Sequence, residues 1–183
     1  MDELVDILNE DGSPTGNTAL KSVAHANGLF HPTIHVWCYS LEGYLLLQQR
    51  GKYKETYPLK WDVSAAGHIG AGESPETGAV RECQEELGIA VTIASLEKIT
   101  IYKKEKKHDN GIFDREYTHV FIYQLDRKVK LTKQESEVEA LEWVSIQDFE
   151  SWILRKPEKF IPNSEKRFEF VIAEIQKRLA TAI

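Results

Sequence analysis

Cysteine is scarce in this sequence, with Cys38 and Cys83 the only two in 183 residues. That excludes a small disulfide-stapled scaffold, and two reduced, packed thiols are expected. Methionine occurs once and proline six times, and no Pro- or Ser-rich linker or low-complexity tract is present. No apolar run approaches the ~20 residues needed to span a bilayer. The segment Met1-Asp2-Glu3-Leu4 is acidic and lacks an apolar signal core, so a soluble cytoplasmic protein with no membrane partner is expected. Basic residues are in deficit, 23 against 29 acidic ones, for a net charge of -6. A surface built to bind nucleic acid is therefore disfavoured. A small anionic substrate is still compatible, because a bound cation can bridge like charges.

What is present is globular. Hydrophobic residues make up 42% and charged residues 28%, enough apolar content to build a core and too little charge imbalance for a disordered chain. The length is about 1.2 times the ~150-residue domain prior, so residues 1–183 read as a single domain. Homodimerisation is left open by the sequence.

Leu4 to Leu8 suits a short strand, and residues 9–16 carry turn chemistry with two glycines and a proline. Leu20 to Ala26 fits a short helix. Thr33 to Ser40 alternates, with Ile34, Val36 and Cys38 on one face and His35, Trp37 and Tyr39 on the other; Tyr44 to Gln49 returns as its partner. Trp61 to Ala65 reads as another strand. Ser74 as N-cap, Pro75 at the first helical position and Gly88 at the far end bracket a helix over Pro75 to Leu87, whose buried stripe is Ala79, Cys83 and Leu87. Ile99 to Lys103 and Thr118 to Leu125 are strands around a turn at Asp109-Asn110-Gly111. Ala140 to Val144 is a further strand and Ile146 to Leu154 a short helix. A last helix, capped by Asn163, carries the stripe Phe168, Val171, Ile172, Ile175 and Leu179. This order predicts an α/β fold with helices on both sides of a mixed sheet.

The chemistry lies in residues 67–89. Glu82, Glu85 and Glu86 stand at i, i+3 and i+4 and share a helix face. Three like charges there destabilise a helix by a few tenths of a kcal/mol per pair, and a solvated acidic face is the plain reading. Two features oppose it: Arg81 flanks the triad, and the preceding loop adds Glu73 and glycine backbone. Carboxylates clustered with carbonyl oxygens are what Mg²⁺ or Mn²⁺ takes as ligands.

The spacing G-x5-E-x7-R-E-U-x-E-E-x-G-U resembles the Nudix box without a gap. Gly67, Glu73, Arg81, Glu82, Glu85, Glu86 and Gly88 fill every fixed position, and Cys83 and Ile89 fill the apolar ones. At roughly one chance in ten per fixed residue, seven accidental matches come to about 10⁻⁷. The resemblance implies an α/β/α sandwich and a Mg²⁺- or Mn²⁺-dependent pyrophosphohydrolase acting on a small-molecule diphosphate. Glu82, Glu85 and Glu86, with the carbonyl of Gly67, would ligate metal. Glu73 would organise the loop and Arg81 would orient carboxylates. The general base would be one of these glutamates or a later carboxylate, with Glu116 and Glu137 as candidates.

The surroundings are similar to one branch of that superfamily, the type I isopentenyl-diphosphate isomerases and their hydrolase relatives. The similarity rests on residues 11–16, Lys21, His25, His31, Gln49-Arg50, Trp61, Gly67-His68 and Asp114-Arg115-Glu116. It implies a second metal site at His25, His31, His68, Asp114 and Glu116, and diphosphate contacts from Lys21, Arg50 and Lys54. Two departures count against isomerase activity. The isomerases use a cysteine just before the Gly-His pair, where this chain has Ala66. They also carry an eroded box, and this one is whole. A hydrolase is therefore expected, acting on a nucleotide derivative or an isoprenoid diphosphate. The alternative is a non-catalytic nucleotide- or metabolite-binding module.

Weaker signals remain. Trp37 and Trp61 are candidates to line a pocket or to pack in the core. Residues 103–108 form a basic run that suits a solvated hairpin within reach of an anionic ligand. Glu135, Glu137 and Glu139 would share one face of an extended segment.

Overall fold

The computed structural model describes residues 2–162 and 165–181, without the side chain of residue 165. Nine strands and four α-helices are assigned among them. They are β1 (Leu4–Leu8), β2 (Pro14–Leu20), α1 (Lys21–Asn27), β3 (His31–Tyr39), β4 (Tyr44–Arg50), β5 (Trp61–Asp62), β6 (Ala65–His68), α2 (Pro75–Leu87), β7 (Glu97–Lys107), β8 (Phe113–Gln124), β9 (Val138–Ser145), α3 (Ile146–Arg155) and α4 (Glu165–Thr181).

The main sheet is mixed, as expected. β3 runs parallel to β8 from His31 opposite Glu116 to Tyr39 opposite Gln124. Its other edge is shared: β6 takes residues 33–36 and β4 meets it at Tyr39. β4 continues the sheet to β9 and β5, and β7 closes the other side against β8. The alternation in β3 sorts two cores. Trp37 and Tyr39 enter the layer filled by Phe149 of α3 and Phe168, Val171, Ile172 and Ile175 of α4. Ile34, Val36 and Cys38 enter the layer against Ala79, Cys83 and Leu87 of α2. A helix layer on each side of a mixed sheet is the α/β sandwich that the pattern implied. Both cysteines are free and buried. Trp37 is fully buried edge-on to Phe149 and Phe168, so it packs in the core and lines no pocket.

Four stretches differ from the sequence reading. Residues 14–20 form strand β2, which pairs antiparallel with β1; an edge hairpin tolerates Pro14 and Gly16, which the turn reading had weighted. The segment from Trp61 to Ala65 is split, because the chain crosses from the edge of β4 to the edge of β3 at Val63-Ser64. β7 and β8 extend well beyond their expected ends. Most of the added residues are polar, and register brings Lys104 opposite Glu116 and Glu105 opposite Arg115, each pair in contact. Opposite charges across the ladder hold what apolar alternation would not reveal. Residues 135–137 turn instead of extending, so Glu135, Glu137 and Glu139 do not share a strand face. Asn163, the expected cap of α4, lies outside the described residues.

Local signals place the acidic helix. Ser74 Oγ accepts from the Thr77 N–H at 3.1 Å, and such a cap contributes about 1 kcal/mol. Gly88 ends α2 at φ 69°, a left-handed turn, and a Cβ there would also meet Thr132 at 2.8 Å. No described helix is long and apolar enough to cross a membrane.

Candidate active site

A polar cleft of about 200 Å³ opens where α2, β6, β8 and the loop after β4 converge. Of the residues singled out in the sequence, Lys21, His25, Arg50, Lys54, Gly67, His68, Glu82, Glu85, Asp114, Glu116 and Glu137 all line it. Glu73, Arg81, Glu86 and His31 stand behind that wall.

The box helix does not present a solvated acidic face. Glu82 and Glu86 are buried, and Glu85 alone of the three is open to water. Arg81 carries much of the compensation. Its guanidinium donates to Glu73 at 3.2 and 3.1 Å, to Glu82 at 2.7 Å, to Glu85 at 3.1 Å and to the His68 carbonyl at 2.8 Å. Glu73 in turn accepts from the Gly70 N–H at 2.9 Å, which fixes the loop. Glu86 has only neutral donors, the Gln48 side-chain amide at 2.7 Å and the Ala66 N–H at 2.9 Å. Burial pushes Glu82 up to about 7 against the opposing pull of Arg81. Burial, reinforced by the Glu82 charge, pushes Glu86 up to about 8.

Glycine at 67 is a matter of space. A Cβ there would stand 2.0 Å from Glu82 Oε1, so the carboxylate lies where any other side chain would begin. Buried acids with too little positive charge, pressed against bare backbone, fit a hard divalent cation. Glu82, Glu85, Glu86 and the Gly67 carbonyl are the groups that would hold it.

A second set of donors belongs to the same cleft and its surroundings. His25, His31, His68 and Glu116 each place a ligand atom within 4.8 Å of the others. His25 Nε2 and His68 Nε2 are 3.2 Å apart. His31 Nδ1 donates to the Leu29 carbonyl at 2.8 Å, and its Nε2 is buried with no partner among the described residues. Burial and then the neighbouring His31 hold His68 well below its usual value, so it is neutral and able to ligate. Three imidazoles and a carboxylate suit a divalent transition-metal ion rather than Mg²⁺. Asp114 is not in this group of four. Its Oδ2 accepts from Lys104 at 2.8 Å and lies 2.9 Å from His108 Nε2. Lys104 also donates to Glu116 at 3.1 Å.

The cationic wall is tied down. Arg50 donates through Nε and Nη2 to the Thr56 carbonyl at 3.2 and 3.0 Å and faces Asp62 at 3.6 Å. Lys54 is ion-paired with Glu137. Lys21 lies 3.7 Å from Glu3.

Sequence reasoning missed Gln48, Lys104 and the chain Arg167–Tyr102–His35. Arg167 Nη1 donates to Tyr102 Oη at 2.8 Å, and Tyr102 Oη lies 3.0 Å from His35 Nδ1. Burial, with the Arg167 charge behind it, depresses His35 to about 3, so its ring is neutral and Nδ1 accepts the tyrosine proton. Only the face alternation of β3 and β7 hinted at this group.

A family model described as the NUDIX domain matches residues 29–165. An uncharacterized Nudix hydrolase of Clostridium acetobutylicum is 38% identical over 175 residues, covering 91% of this chain and 84% of that protein. An isopentenyl-diphosphate Delta-isomerase of Escherichia coli is 32% identical over 173 residues, covering 90% and 93%. Nudix hydrolase 3 of Arabidopsis thaliana is 31% identical over 166 residues, but the match spans 88% of this chain and 22% of the plant protein. Among solved structures, a Deinococcus radiodurans protein superposes with a TM-score of 0.72 at 18% identity, covering 91% of this chain and 98% of that one.

Proposed function

The chain belongs to the Nudix family and is a hydrolase acting on diphosphate bonds, and we propose that its reaction is the Mg²⁺- or Mn²⁺-dependent hydrolysis of a diphosphate joined to an organic group. The observation that carries this reading is the burial of Glu82 against the bare backbone of Gly67 and of Glu86 against the Ala66 N–H, two carboxylates of which Arg81 reaches only Glu82. A divalent ion held there supplies charge neutralisation of the diphosphate and a more acidic water.

The side chains do the rest. Arg50, Lys54 and Lys21 face the cleft as partners for phosphate oxygens and restrain the diphosphate relative to α2. Arg81 keeps Glu73, Glu82 and Glu85 in one arrangement and touches no substrate. Proton removal from the attacking water falls to a carboxylate at the cleft wall. Glu116 and Glu137 are the candidates outside the box, and each is steadied by a lysine, Lys104 and Lys54 respectively. Ala66 has no side chain able to exchange a proton with carbon, so the isomerase reaction is not assigned to this chain even though relatives bear that name.

The four-residue His25, His31, His68 and Glu116 group supports a second divalent ion in the same site. The substrate is a nucleotide derivative or an isoprenoid diphosphate. Cleavage with Mg²⁺ and with Mn²⁺ of nucleotides, nucleotide sugars, dinucleotides and prenyl diphosphates, followed by chromatography of the phosphorylated products, tests the proposal, with Glu85→Gln as control. Turnover that vanishes in the variant supports it. Absence of turnover across the panel favours a binding module, and equal turnover by the variant removes Glu85 from the metal set.

A further inference from the structure

A second chamber, of about 540 Å³, adjoins the polar cleft between β7 and the first half of α4. Four residues, Tyr57, Lys104, Ile161 and Arg167, line both spaces and form the partition between them. The two chambers differ in chemistry. The cleft is walled by acids, histidines and cations. The second space has Val120, Val171, Tyr102 and Phe170 around it, Lys106 and Lys166 reach into it, and its one acid, Glu105, is neutralised by Lys103 and Arg115. Lys106 and Lys166 are exposed, and no ion pair with an acid is found for either among the described residues. Phe170 is 44% exposed, a large apolar ring left facing the opening.

The partition itself is incomplete. Arg167 is pinned through Nη1 by Tyr102, while its Nε and Nη2 are buried with no hydrogen-bond partner among the described residues. That pair is the edge of a guanidinium that presents two parallel N–H groups, the fork that takes an anionic oxygen pair. Buried donors left unpaired are costly, and a ligand passing the partition would satisfy them.

We propose that this chamber receives the organic group of the substrate, and that the group is an aromatic ring system carrying an anionic substituent of its own, of the phosphorylated-nucleoside type. The inference rests on the diphosphate-hydrolase reading and decides between its two substrate classes. A five-carbon prenyl chain offers no charge to Lys106 and Lys166. The chamber also falls within the roughly 300–1,000 Å³ typical of sites enclosing far larger ligands. Tyr57, Tyr102 and Phe170 supply faces on which a planar ring can stack. The anionic substituent meets the lysines at the outer rim, and Arg167 meets the linkage where it passes from one space to the other.

The test is equilibrium binding by calorimetry to the full chain, using a nucleoside 3′,5′-bisphosphate and the 5′-monophosphate of the same base. The bisphosphate is expected to bind about tenfold more tightly. The double variant Lys106→Ala/Lys166→Ala should bring that ratio close to one, and Phe170→Ala should weaken both ligands. All three side chains are exposed, so melting curves should stay close to that of the parent. A ratio near one in the parent, a ratio unmoved by the double variant, or no binding of either ligand overturns the proposal. Catalysis is read separately by chromatography of the phosphorylated products of the same substrate panel. A protein that hydrolyses diphosphates without this preference keeps the hydrolase and loses the chamber. One that shows the preference but hydrolyses nothing keeps the chamber and loses the hydrolase.

Discussion

The side-chain amide of Gln48, on β4, donates to Glu86 Oε2 on α2 at 2.7 Å. Gln48 is itself buried, and its nitrogen also reaches the Ser64 carbonyl at 3.2 Å. The bond ties the sheet to the deepest carboxylate of the acidic helix. It favours the ionised carboxylate without adding charge, and leaves the remaining oxygen open to a cation. Outer partners of this kind typically shift metal affinity or activity by about 10–100-fold when removed. Gln48→Leu, similar in volume, should therefore raise the Mg²⁺ concentration needed for half-maximal activity by about that factor. Activity titrated against Mg²⁺ gives the result, and an unchanged midpoint would show that Glu86 needs no such support.

Gly67→Ala tests the cradle. An added Cβ would fall 2.0 Å from Glu82 Oε1 and 2.2 Å from its carboxyl carbon, so the carboxylate must leave its place. The backbone at Gly67 is not in the left-handed region, so alanine introduces no torsional strain of its own. Loss of activity with only a small change in melting temperature is the expected pair of results. Full activity in this variant would show that Glu82 works from another position.

How much of this was legible beforehand follows from where the signals lie. α2 was bounded correctly because Ser74, Pro75 and Gly88 are local signals that act through their own backbone. The sorting of β3 into two cores followed from its period of two. Position along an edge is another matter. β7 runs to Lys107 because its charges meet those of β8 across the ladder, and no single-strand pattern announces a partner. Gln48 read as an ordinary strand residue, and its role exists only because β4 passes beneath Glu86. Lys104 looked like one charge in a basic run, yet it is the cation between Asp114 and Glu116. The acidic triad was legible as a shared helix face, whereas burial of Glu82 and Glu86 came from the third dimension.

The histidine group makes a separate prediction about metal content. His31 Nε2 is buried without a partner among the described residues, and Nδ1 is held by the Leu29 carbonyl. His31→Ala should abolish one equivalent of tightly bound Mn²⁺ while leaving the Mg²⁺ requirement of the α2 carboxylates in place. Metal analysis after dialysis, run beside activity titrations, distinguishes the two sites. Equal Mn²⁺ content in parent and variant would remove His31 from the ligand set.

The pH dependence follows from Glu82 and Glu86. Both are raised above the ordinary carboxylate value, to about 7 and about 8, chiefly by burial. A group held higher in the folded state than in the unfolded chain stabilises the fold fully below its unfolded value, and that contribution fades as pH rises through its folded value. The metal-stripped protein should therefore lose stability from about pH 5 to about pH 9, as the buried acids surrender their protons. Asp62 and Asp114 are lowered instead, and their opposite contribution fades only under more acid conditions. A divalent ion requires the ionised carboxylates, so its affinity should rise across the same window. Thermal melts with and without Mg²⁺ should thus diverge with increasing pH, by several degrees at the alkaline end. Parallel curves would mean that the ion is not held by Glu82 and Glu86.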